Sequence, residues 1–341
     1  MPGEQRVGVS ATASYLPRDW VSAAQLEQWS GIPEEVFISR FGLDGKHVAG
    51  DEEHVSGMAA KAGRLLLEES GTDPTSIDAV IYFGSTWKDY QVWQAAPKIA
   101  DDLGCARAFA LELDYVSCGS VVALRAAKAL AESDDELQRI LLVGASRESH
   151  LIDYSDAGSR FAFNFGDGAV AALVERRAEA NSLLATSMKT DGSLSRHVKV
   201  PAGGSVLPAS HETVDKGQHM LRVEDTAAMK VRLDEVSLDN FLEVCRDSAR
   251  RSGISLDEID WVLPIHMKQS MHSALLAALG VGEDRAIYLR DTGHMSGVDN
   301  ILALDRLSRS GRLGQGDLVL MVAAGTGYTW GATLVRWGRA S

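Results

Sequence analysis

Two blocks of the sequence share one order of elements, and this repetition limits the possible folds more than any other feature. Each block opens with an aspartate before a short apolar run, continues through one helical pattern and closes with a second apolar run. The first block begins at Asp78 and the second at Asp260. We interpret the two blocks as an internal duplication. The alternative is that they only reflect the repeated strand and helix pattern of any doubly wound α/β protein.

The apolar runs predict buried strands, and the segments with helical periodicity between them predict helices. Because strands and helices alternate along the chain, we expect the α/β class. The predicted strands are residues 79–83, 140–144, 261–264 and 318–323, and the predicted helices are residues 120–131 and 300–307.

The repetition also predicts how the chain is divided. Residues 1–175 would form an N-terminal half and residues 221–341 a C-terminal half. The stretch 176–220 lacks a sustained period and contains glycine and proline, which is typical of a connection.

Charge and cysteine content exclude several kinds of partner and compartment. The 47 acidic residues against 34 basic ones give a net charge of -13, so we expect neither nucleic acid nor an anionic membrane as the main partner. Three cysteines cannot pair into a closed disulfide set. With no signal peptide or membrane span in the sequence, we expect a cytoplasmic protein. No metal-binding motif is present, so no metal site is expected.

Cys118 is the cysteine with the most suggestive position. It follows a strand-like stretch and directly precedes a predicted helix, whose dipole favours thiolate and lowers the pKa of a thiol. Cys105 and Cys245 lie in a turn and on a helical face, where structural roles are expected. A small core residue remains the alternative for Cys118 as well.

Two histidines lie at strand ends in the C-terminal half. His266 follows the second block's first strand, and His294 lies just before its helix. If the blocks superpose, His294 occupies nearly the place that Cys118 has in the first block, and the two would face each other. Imidazoles near a thiol can activate it or stabilise an oxyanion or enolate.

These residues occur in motifs that together resemble the ketoacyl-ACP synthase III family of the thiolase superfamily, over nearly the whole chain. The motifs are SYLP at 14–17, SRFGLDGKHVA at 39–49, Cys118 before its helix, FGDGA at 165–169, DWVLPIH at 260–266, GHMSG at 293–297 and GTGYTWGATLVRW at 325–337. The resemblance implies a thiolase-like five-layer αβαβα fold of two duplicated halves, a homodimer, and a place in fatty acid or polyketide biosynthesis. Thioesters of CoA or phosphopantetheine, the latter on an acyl carrier protein, would be substrates, with no cofactor.

The resemblance also implies roles for individual residues. Cys118 would accept the acyl group, and His266 and His294 would hold the enolate of a malonyl-type thioester during decarboxylative condensation. The backbone N–H groups of Cys118 and Thr326 would form the oxyanion hole. Arg40 would lie near the phosphopantetheine entrance, and Lys268 would stand where the family has an asparagine that helps hold the thioester.

Three departures from the family pattern leave alternatives open. His294 replaces an asparagine, which gives a Cys-His-His set, and His266 lies one position late in PIHMK, where a β-bulge could restore its aim. When the helix is aligned without a gap, Ser117 and not Cys118 falls on the nucleophile position. We expect Cys118 to be the nucleophile because a thiol is intrinsically the better one, with Ser117 as the alternative.

The departures also leave the reaction open. The leading hypothesis is condensation, and its alternative is transfer of the acyl group to a hydroxyl, amine or thiol without decarboxylation. A second alternative is a non-catalytic partner subunit. An acyl carrier protein is acidic like this chain, so its docking would need a local basic rim. The candidates for this rim are Arg40, Lys268, Arg250 and Arg251.

Overall fold

The computed structural model describes residues 6–339, which contain thirteen strands. Nine of them form one large sheet, and the other four form two small two-stranded sheets. The strands are β1 (Gly8–Tyr15), β2 (Asp19–Ser22), β3 (Gly45–Val48), β4 (Ala79–Tyr82), β5 (Phe109–Glu112), β6 (Arg139–Ser146), β7 (Gly168–Glu175), β8 (Ala180–Thr190), β9 (Val198–Lys199), β10 (Arg222–Val223), β11 (Trp261–Pro264), β12 (Leu318–Gly325) and β13 (Thr329–Arg339).

Nine α-helices accompany the strands within the same residues. They are α1 (Ala23–Ser30), α2 (Glu34–Val36), α3 (Val55–Ser70), α4 (Ala95–Leu103), α5 (Gly119–Ser133), α6 (His211–Asp215), α7 (Thr226–Arg251), α8 (Gln269–Leu279) and α9 (Asp299–Arg309). A π-helical segment, Phe37–Phe41, continues α2, and short 3₁₀ turns precede α5 and α9.

The large sheet has the strand order β11-β12-β13-β8-β1-β7-β6-β4-β5. Its two parts meet where Gly8 of β1 pairs with Ser182 of β8. On one side, β4 and β6 are parallel and β7 and β1 are antiparallel neighbours; on the other, β11, β12, β13 and β8 repeat these relations. The two halves are therefore similar in topology as well as in sequence.

Helices complete a five-layer arrangement. Helices α3 and α4 cover the outer face of the N-terminal sheet, and α7 covers the outer face of the C-terminal sheet with α8 packed beside it. Helices α5 and α9 lie in the middle and contact strands of both halves. Their apolar residues join side chains of both sheets in the largest buried cluster.

The predicted αβαβα fold of two related halves is confirmed, and the six elements predicted along the two blocks correspond to β4, β6, β11, β12, α5 and α9. The predicted connection, residues 176–220, contains β8, which pairs along most of its length with β13 of the C-terminal half. Within residues 6–339, every helix falls short of the length and apolar character that a membrane crossing requires.

Two glycines allow the middle helices to begin next to each other. A Cβ atom on Gly297 would lie 3.0 Å from Cα of Gly119 and 2.7 Å from the carbonyl oxygen of Val116. A Cβ on Gly119 would lie 2.4 Å from the carbonyl oxygen of Phe83. Only glycine permits this approach, and it brings the segments that precede α5 and α9 together.

We predict that Gly297→Ala destabilises the protein by about 1–3 kcal/mol, because the added methyl group has backbone on three sides and nowhere to move. Chemical denaturation would measure the change in the free energy of unfolding. Gly57→Ala is the matched control: a Cβ at Gly57, inside α3, meets no atom within 4 Å, so alanine should stabilise the helix. An equal loss in both variants would contradict the close-approach argument.

Candidate active site

A cavity of about 220 Å³ lies where the segments before α5 and α9 meet. Both halves contribute to its lining: Ser117 and Asn164 come from the first, and His266, His294 and Thr326 from the second. Aromatic and methionine side chains, including Phe161, Phe165, Phe241, Met267 and Met271, form most of the remaining wall. The cavity is thus mostly apolar with a few polar groups on one side, which is typical of a small-molecule site.

Ser117 and His294 are in direct contact in this cavity. Ser117 lies on the 3₁₀ turn Val116–Cys118 that leads into α5, and His294 lies in the corresponding segment before α9. The Ser117 Oγ atom is 2.8 Å from His294 Nε2, and His294 Nδ1 is 2.7 Å from Asp299 Oδ2. The three side chains form a continuous hydrogen-bonded chain.

The carboxylate fixes the direction of these hydrogen bonds. Since Asp299 can only accept, His294 donates its Nδ1–H to it, and the neutral ring leaves Nε2 as an acceptor. The Ser117 hydroxyl therefore donates to His294 Nε2. A serine hydroxyl that donates to an imidazole oriented by a carboxylate is the arrangement of a serine nucleophile with its general base.

Asp299 is fully buried and has further partners. Its Oδ2 also accepts the backbone N–H of His266 at 2.8 Å, and its Oδ1 accepts that of Met295 at 2.7 Å. It is also the first residue of α9. The sequence prediction missed Asp299. The signal that could have found it is an acidic residue five positions after His294, at a helix start.

His266 follows β11 and is likewise buried. Its Nε2 lies 3.2 Å from the carbonyl oxygen of Gly42, which can only accept, so Nε2 carries the proton. Its Nδ1 lies 2.8 Å from Asn164 Nδ2 and accepts a hydrogen bond from that amide. Burial lowers the pKa of His266 to about 4, so the ring is neutral at pH 7.

The β-bulge expected before His266 is absent from β11. This strand pairs with β12 from Trp261 to Pro264 without a register shift, and Ile265 N–H continues the pattern by donating to Val322. Both Ile265 and His266 then line the cavity. The late position of the histidine in the sequence is thus accommodated by the loop after the strand.

The structure places Cys118 away from the cavity lining. The side chain is fully buried among Val121, Ile265 and Ala323, and its Sγ donates to the carbonyl oxygen of Thr329 at 3.1 Å. Burial raises the pKa of this thiol to about 12, the opposite of the lowering expected from the helix dipole. These surroundings disfavour Cys118 as the nucleophile and fit the structural alternative. Cys105 and Cys245 are also buried free thiols.

The end of β12 lies beside the start of α5, and Thr326 directly follows it. A Cβ on the preceding Gly325 would be 3.1 Å from the backbone nitrogens of both Ser117 and Cys118. This close approach places the turn after β12 against the amides that precede the helix. Thr326 also lines the cavity.

The four basic residues predicted to form a rim for carrier docking lie at different distances from the cavity. Lys268 is exposed and lines the cavity, whereas the exposed Arg40 lies next to a lining residue, Phe41, without lining the cavity itself. Arg250 lies nine positions beyond Phe241 on α7, about 13 Å further along the helix axis. It pairs with Asp247, and Arg251 donates to the carbonyl oxygen of Thr186. Arg250 and Arg251 therefore do not line the cavity, and their part in docking a carrier protein stays a prediction.

Comparisons with known proteins agree with this geometry. Residues 111–192 match the family model for 3-oxoacyl-[acyl-carrier-protein] synthase III, and residues 249–337 match the model for its C-terminal part. The chain is 30% identical over 338 residues to the β-ketoacyl-[acyl-carrier-protein] synthase III of Cereibacter sphaeroides, covering 97% of this chain and 99% of that protein. The corresponding enzyme of Phocaeicola vulgatus is 29% identical over 332 residues, which cover 97% and 96%.

Solved structures give the same result. The 3-oxoacyl-[acyl-carrier-protein] synthase III of Aquifex aeolicus superposes with a TM-score of 0.84 at 25% identity, covering 97% of this chain and 100% of that one. The priming β-ketosynthase of the R1128 polyketide pathway superposes with a TM-score of 0.85 at 25% identity, covering 100% and 99%.

Fold and comparisons together define an acyltransferase of the thiolase superfamily. Within this class the chain belongs to the 3-oxoacyl-[acyl-carrier-protein] synthase III family, whose members are condensing enzymes. The predicted family and enzyme class are confirmed. The comparisons favour neither of the two alternatives, acyl transfer without decarboxylation and a non-catalytic partner subunit. The intact hydrogen-bonded chain from Ser117 to Asp299 also argues against a non-catalytic subunit.

Proposed function

We propose that the acyl group is carried as an ester on Ser117. The hydrogen-bonded chain Ser117–His294–Asp299 at the cavity wall carries this proposal. In the first step, the Ser117 proton moves to His294 Nε2 while Oγ attacks the carbonyl carbon of an acyl thioester. The C–S bond then breaks, and the leaving thiolate takes the proton from His294 as a thiol. Asp299 stabilises the imidazolium that forms in between.

The developing oxyanion needs two N–H donors. We propose the backbone N–H groups of Ser117 and Thr326, because the turn after β12 lies against the amides at the start of α5. The resemblance implied the N–H groups of Cys118 and Thr326. We replace that of Cys118 with the N–H of Ser117, because Ser117 is the proposed nucleophile. Fixed backbone dipoles of this kind stabilise the tetrahedral intermediate without reorganisation.

The donor would be an acyl-CoA or an acyl group on a carrier protein. The matched relatives are named for an acyl carrier protein, which supports a phosphopantetheine thioester as one of the substrates. Lys268 at the cavity and Arg40 beside it are the described basic groups placed to meet the phosphate of such an arm. No cofactor is proposed.

We predict that incubation with an acyl-CoA adds one acyl mass to the wild-type protein and to Cys118→Ala, but none to Ser117→Ala. The reason is that the hydroxyl and not the thiol contacts the base. Intact-mass spectrometry followed by peptide mapping measures the adduct. Cys245→Ala is the matched control, since its thiol is equally buried. An adduct that persists in Ser117→Ala and disappears in Cys118→Ala would restore Cys118 as the nucleophile.

In the second step of the family reaction, the acceptor is a malonyl-type thioester. Loss of CO₂ leaves an enolate, its carbon attacks the ester carbonyl, and the C–O bond to Ser117 breaks. The Ser117 oxygen then takes up a proton from solvent, passed on by His294 Nε2, because the proton removed in the first step has left with the thiol. His266 is placed to donate its Nε2–H to the thioester oxygen, since it lines the same cavity in the Nε2–H form. The product is a 3-oxoacyl thioester.

One observation supports a second candidate, acyl transfer to a hydroxyl, amine or thiol. With Nδ1–H bound to Asp299, a neutral His294 offers Nε2 as an acceptor, so it cannot donate a hydrogen bond to an enolate. The same nitrogen is suited to removing a proton from an incoming O–H, N–H or S–H group. The incoming atom would then attack the ester carbonyl, and Ser117 would recover its proton.

The two reactions differ in whether CO₂ is released. We predict that the acyl-enzyme with carboxyl-labelled malonyl-CoA or malonyl carrier protein releases labelled CO₂ and forms a 3-oxoacyl product, because His266 provides one N–H donor for the enolate. His266→Gln should slow this release by about 10²–10³-fold, the usual effect of losing one oxyanion donor, while leaving acylation of Ser117 intact. Acyl transfer to hydroxylamine without any CO₂ release from the malonyl substrate would instead establish the second candidate.

We further propose that the protein is a cytoplasmic homodimer. Its buried free thiols suit a reducing compartment. β5 is the edge strand of the N-terminal sheet, and its first residue, Phe109, is half exposed. Tyr90 and Val92 are exposed in the preceding loop region. An open strand edge beside exposed apolar side chains favours pairing with a second copy.

We predict that light scattering gives twice the mass of a single chain. Phe109→Lys should shift the protein toward the monomer, because a charge would have to be buried at the paired edge. Val231→Lys is the control, since Val231 is also apolar and exposed but lies on α7, which covers the C-terminal sheet. A wild-type protein with the mass of one chain would contradict the proposal.

A further inference from the structure

Asn164 is a buried polar residue at the cavity that neither the family motifs nor the acyl-transfer steps use. It lies between Phe163 and Phe165, directly before the turn that leads into β7, and is 8% exposed. Its amide nitrogen Nδ2 donates to His266 Nδ1 at 2.8 Å. Its backbone carbonyl oxygen accepts the N–H of His294 at 2.9 Å. This one residue therefore contacts both imidazole-bearing residues of the cavity.

The segment around Asn164 is held firmly in place. The fully buried Lys46 donates from Nζ to the carbonyl oxygens of Phe163 and Phe165, on either side of Asn164, and to the hydroxyl of Tyr154. Gly166 N–H donates to the carbonyl oxygen of His294 at 2.9 Å. With both flanking peptide groups fixed, the Asn164 side chain has little freedom to leave His266.

The other end of the Asn164 amide has no hydrogen-bond partner within residues 6–339. Its Oδ1 is buried and unpaired, which is unfavourable for folding. A leucine of similar size would avoid this unpaired oxygen. The amide is therefore hard to explain by stability alone, whereas its contact with His266 offers a functional reason.

We propose that Asn164 is a positioning residue that holds His266 in the neutral Nε2–H form, so that His266 acts as a hydrogen-bond donor and not as a base. This inference rests on the proposed role of the cavity as the acyl-transfer site. The Asn164 N–H requires an acceptor, which keeps Nδ1 unprotonated. The ring proton is thereby directed to Nε2, the atom that contacts the Gly42 carbonyl oxygen.

The chemical consequence concerns the second substrate. The Gly42 carbonyl holds Nε2–H at 3.2 Å, a long hydrogen bond that an incoming carbonyl oxygen can replace. A donor at this position stabilises negative charge on a thioester oxygen as CO₂ departs. In the opposite tautomer, Nε2 would repel that oxygen. Asn164 thus favours a carbonyl-bearing acceptor over one that needs deprotonation by His266.

The charged groups around His266 determine how a substitution of Asn164 should change the charge of the His266 ring. The Asp299 carboxylate at the start of α9 favours the imidazolium, whereas His294 and His272 of α8 oppose it, and Tyr288 stacks on the ring at 5.2 Å. Burial is the largest influence and keeps the ring neutral. Asn164→Asp would add a second carboxylate that accepts from Nδ1–H, so that both ring nitrogens could donate.

The test uses ¹⁵N-histidine NMR of the free protein, with His266→Gln to assign the signal. The wild-type spectrum should show the Nε2–H tautomer of His266, neutral at pH 6. Asn164→Asp should convert it to the imidazolium at pH 6, whereas Asn164→Leu, the matched control without a charge, should keep it neutral. A wild-type Nδ1–H tautomer, or an Asn164→Asp ring that stays neutral with both nitrogens unchanged, would overturn the proposal.

Kinetics provide the second readout. Both variants should slow the reaction with the malonyl thioester by at least about tenfold, and should slow the acylation of Ser117 by much less. The Asn164→Asp defect should also depend on pH, because the charge on His266 then titrates. If both variants lost acylation and condensation equally, Asn164 would be a general structural residue and the proposal would fail. Absence of any acyl-Ser117 in the wild type would refute the proposed function, while the NMR result would still stand.

Discussion

The Asp299 carboxylate is the point at which the loops of the site are joined. It accepts hydrogen bonds from the His294 ring and from the backbone N–H groups of His266 and Met295. Those groups come from the end of β11 and from the segment before α9, two places that only the folded C-terminal half brings together. Because a fully buried carboxylate needs several donors, the loops must close around it. The orientation of His294, and through it of Ser117, follows from that requirement.

Ser117 and Cys118 show how neighbouring residues receive opposite chemistry from their surroundings. The helix dipole acts on both, yet Cys118 is packed against apolar side chains, where burial disfavours the thiolate more strongly than the dipole favours it. Ser117, one position earlier, faces the cavity and meets an imidazole. Intrinsic nucleophilicity favours the thiol, but a nucleophile must also reach its base and its substrate.

Apolar periodicity, which is local in the chain, predicted the α/β class and the elements of both blocks, whereas the five layers were expected from the family resemblance. The sequence also selected His266 and His294, which the structure brings to one cavity. It could not place Asp299 or Asn164, whose importance depends on contacts between residues distant in sequence. The sequence also could not show which of Ser117 and Cys118 faces the cavity, because a single 3₁₀ turn decides this. Arg250 and Arg251 could not be located because the position of α7 relative to the cavity depends on tertiary packing.

The middle layer has a consequence for how the molecule comes apart. Helices α5 and α9 pack against strands of both sheets, and their apolar residues belong to one cluster with them. Neither half alone therefore contains the central part of the hydrophobic core, which includes residues of both halves. If one half opened, it would expose the faces of α5 and α9 that the other half requires, so partial unfolding is strongly penalised. We therefore expect the two duplicated halves to unfold together, and the candidate active site between them requires both to be folded.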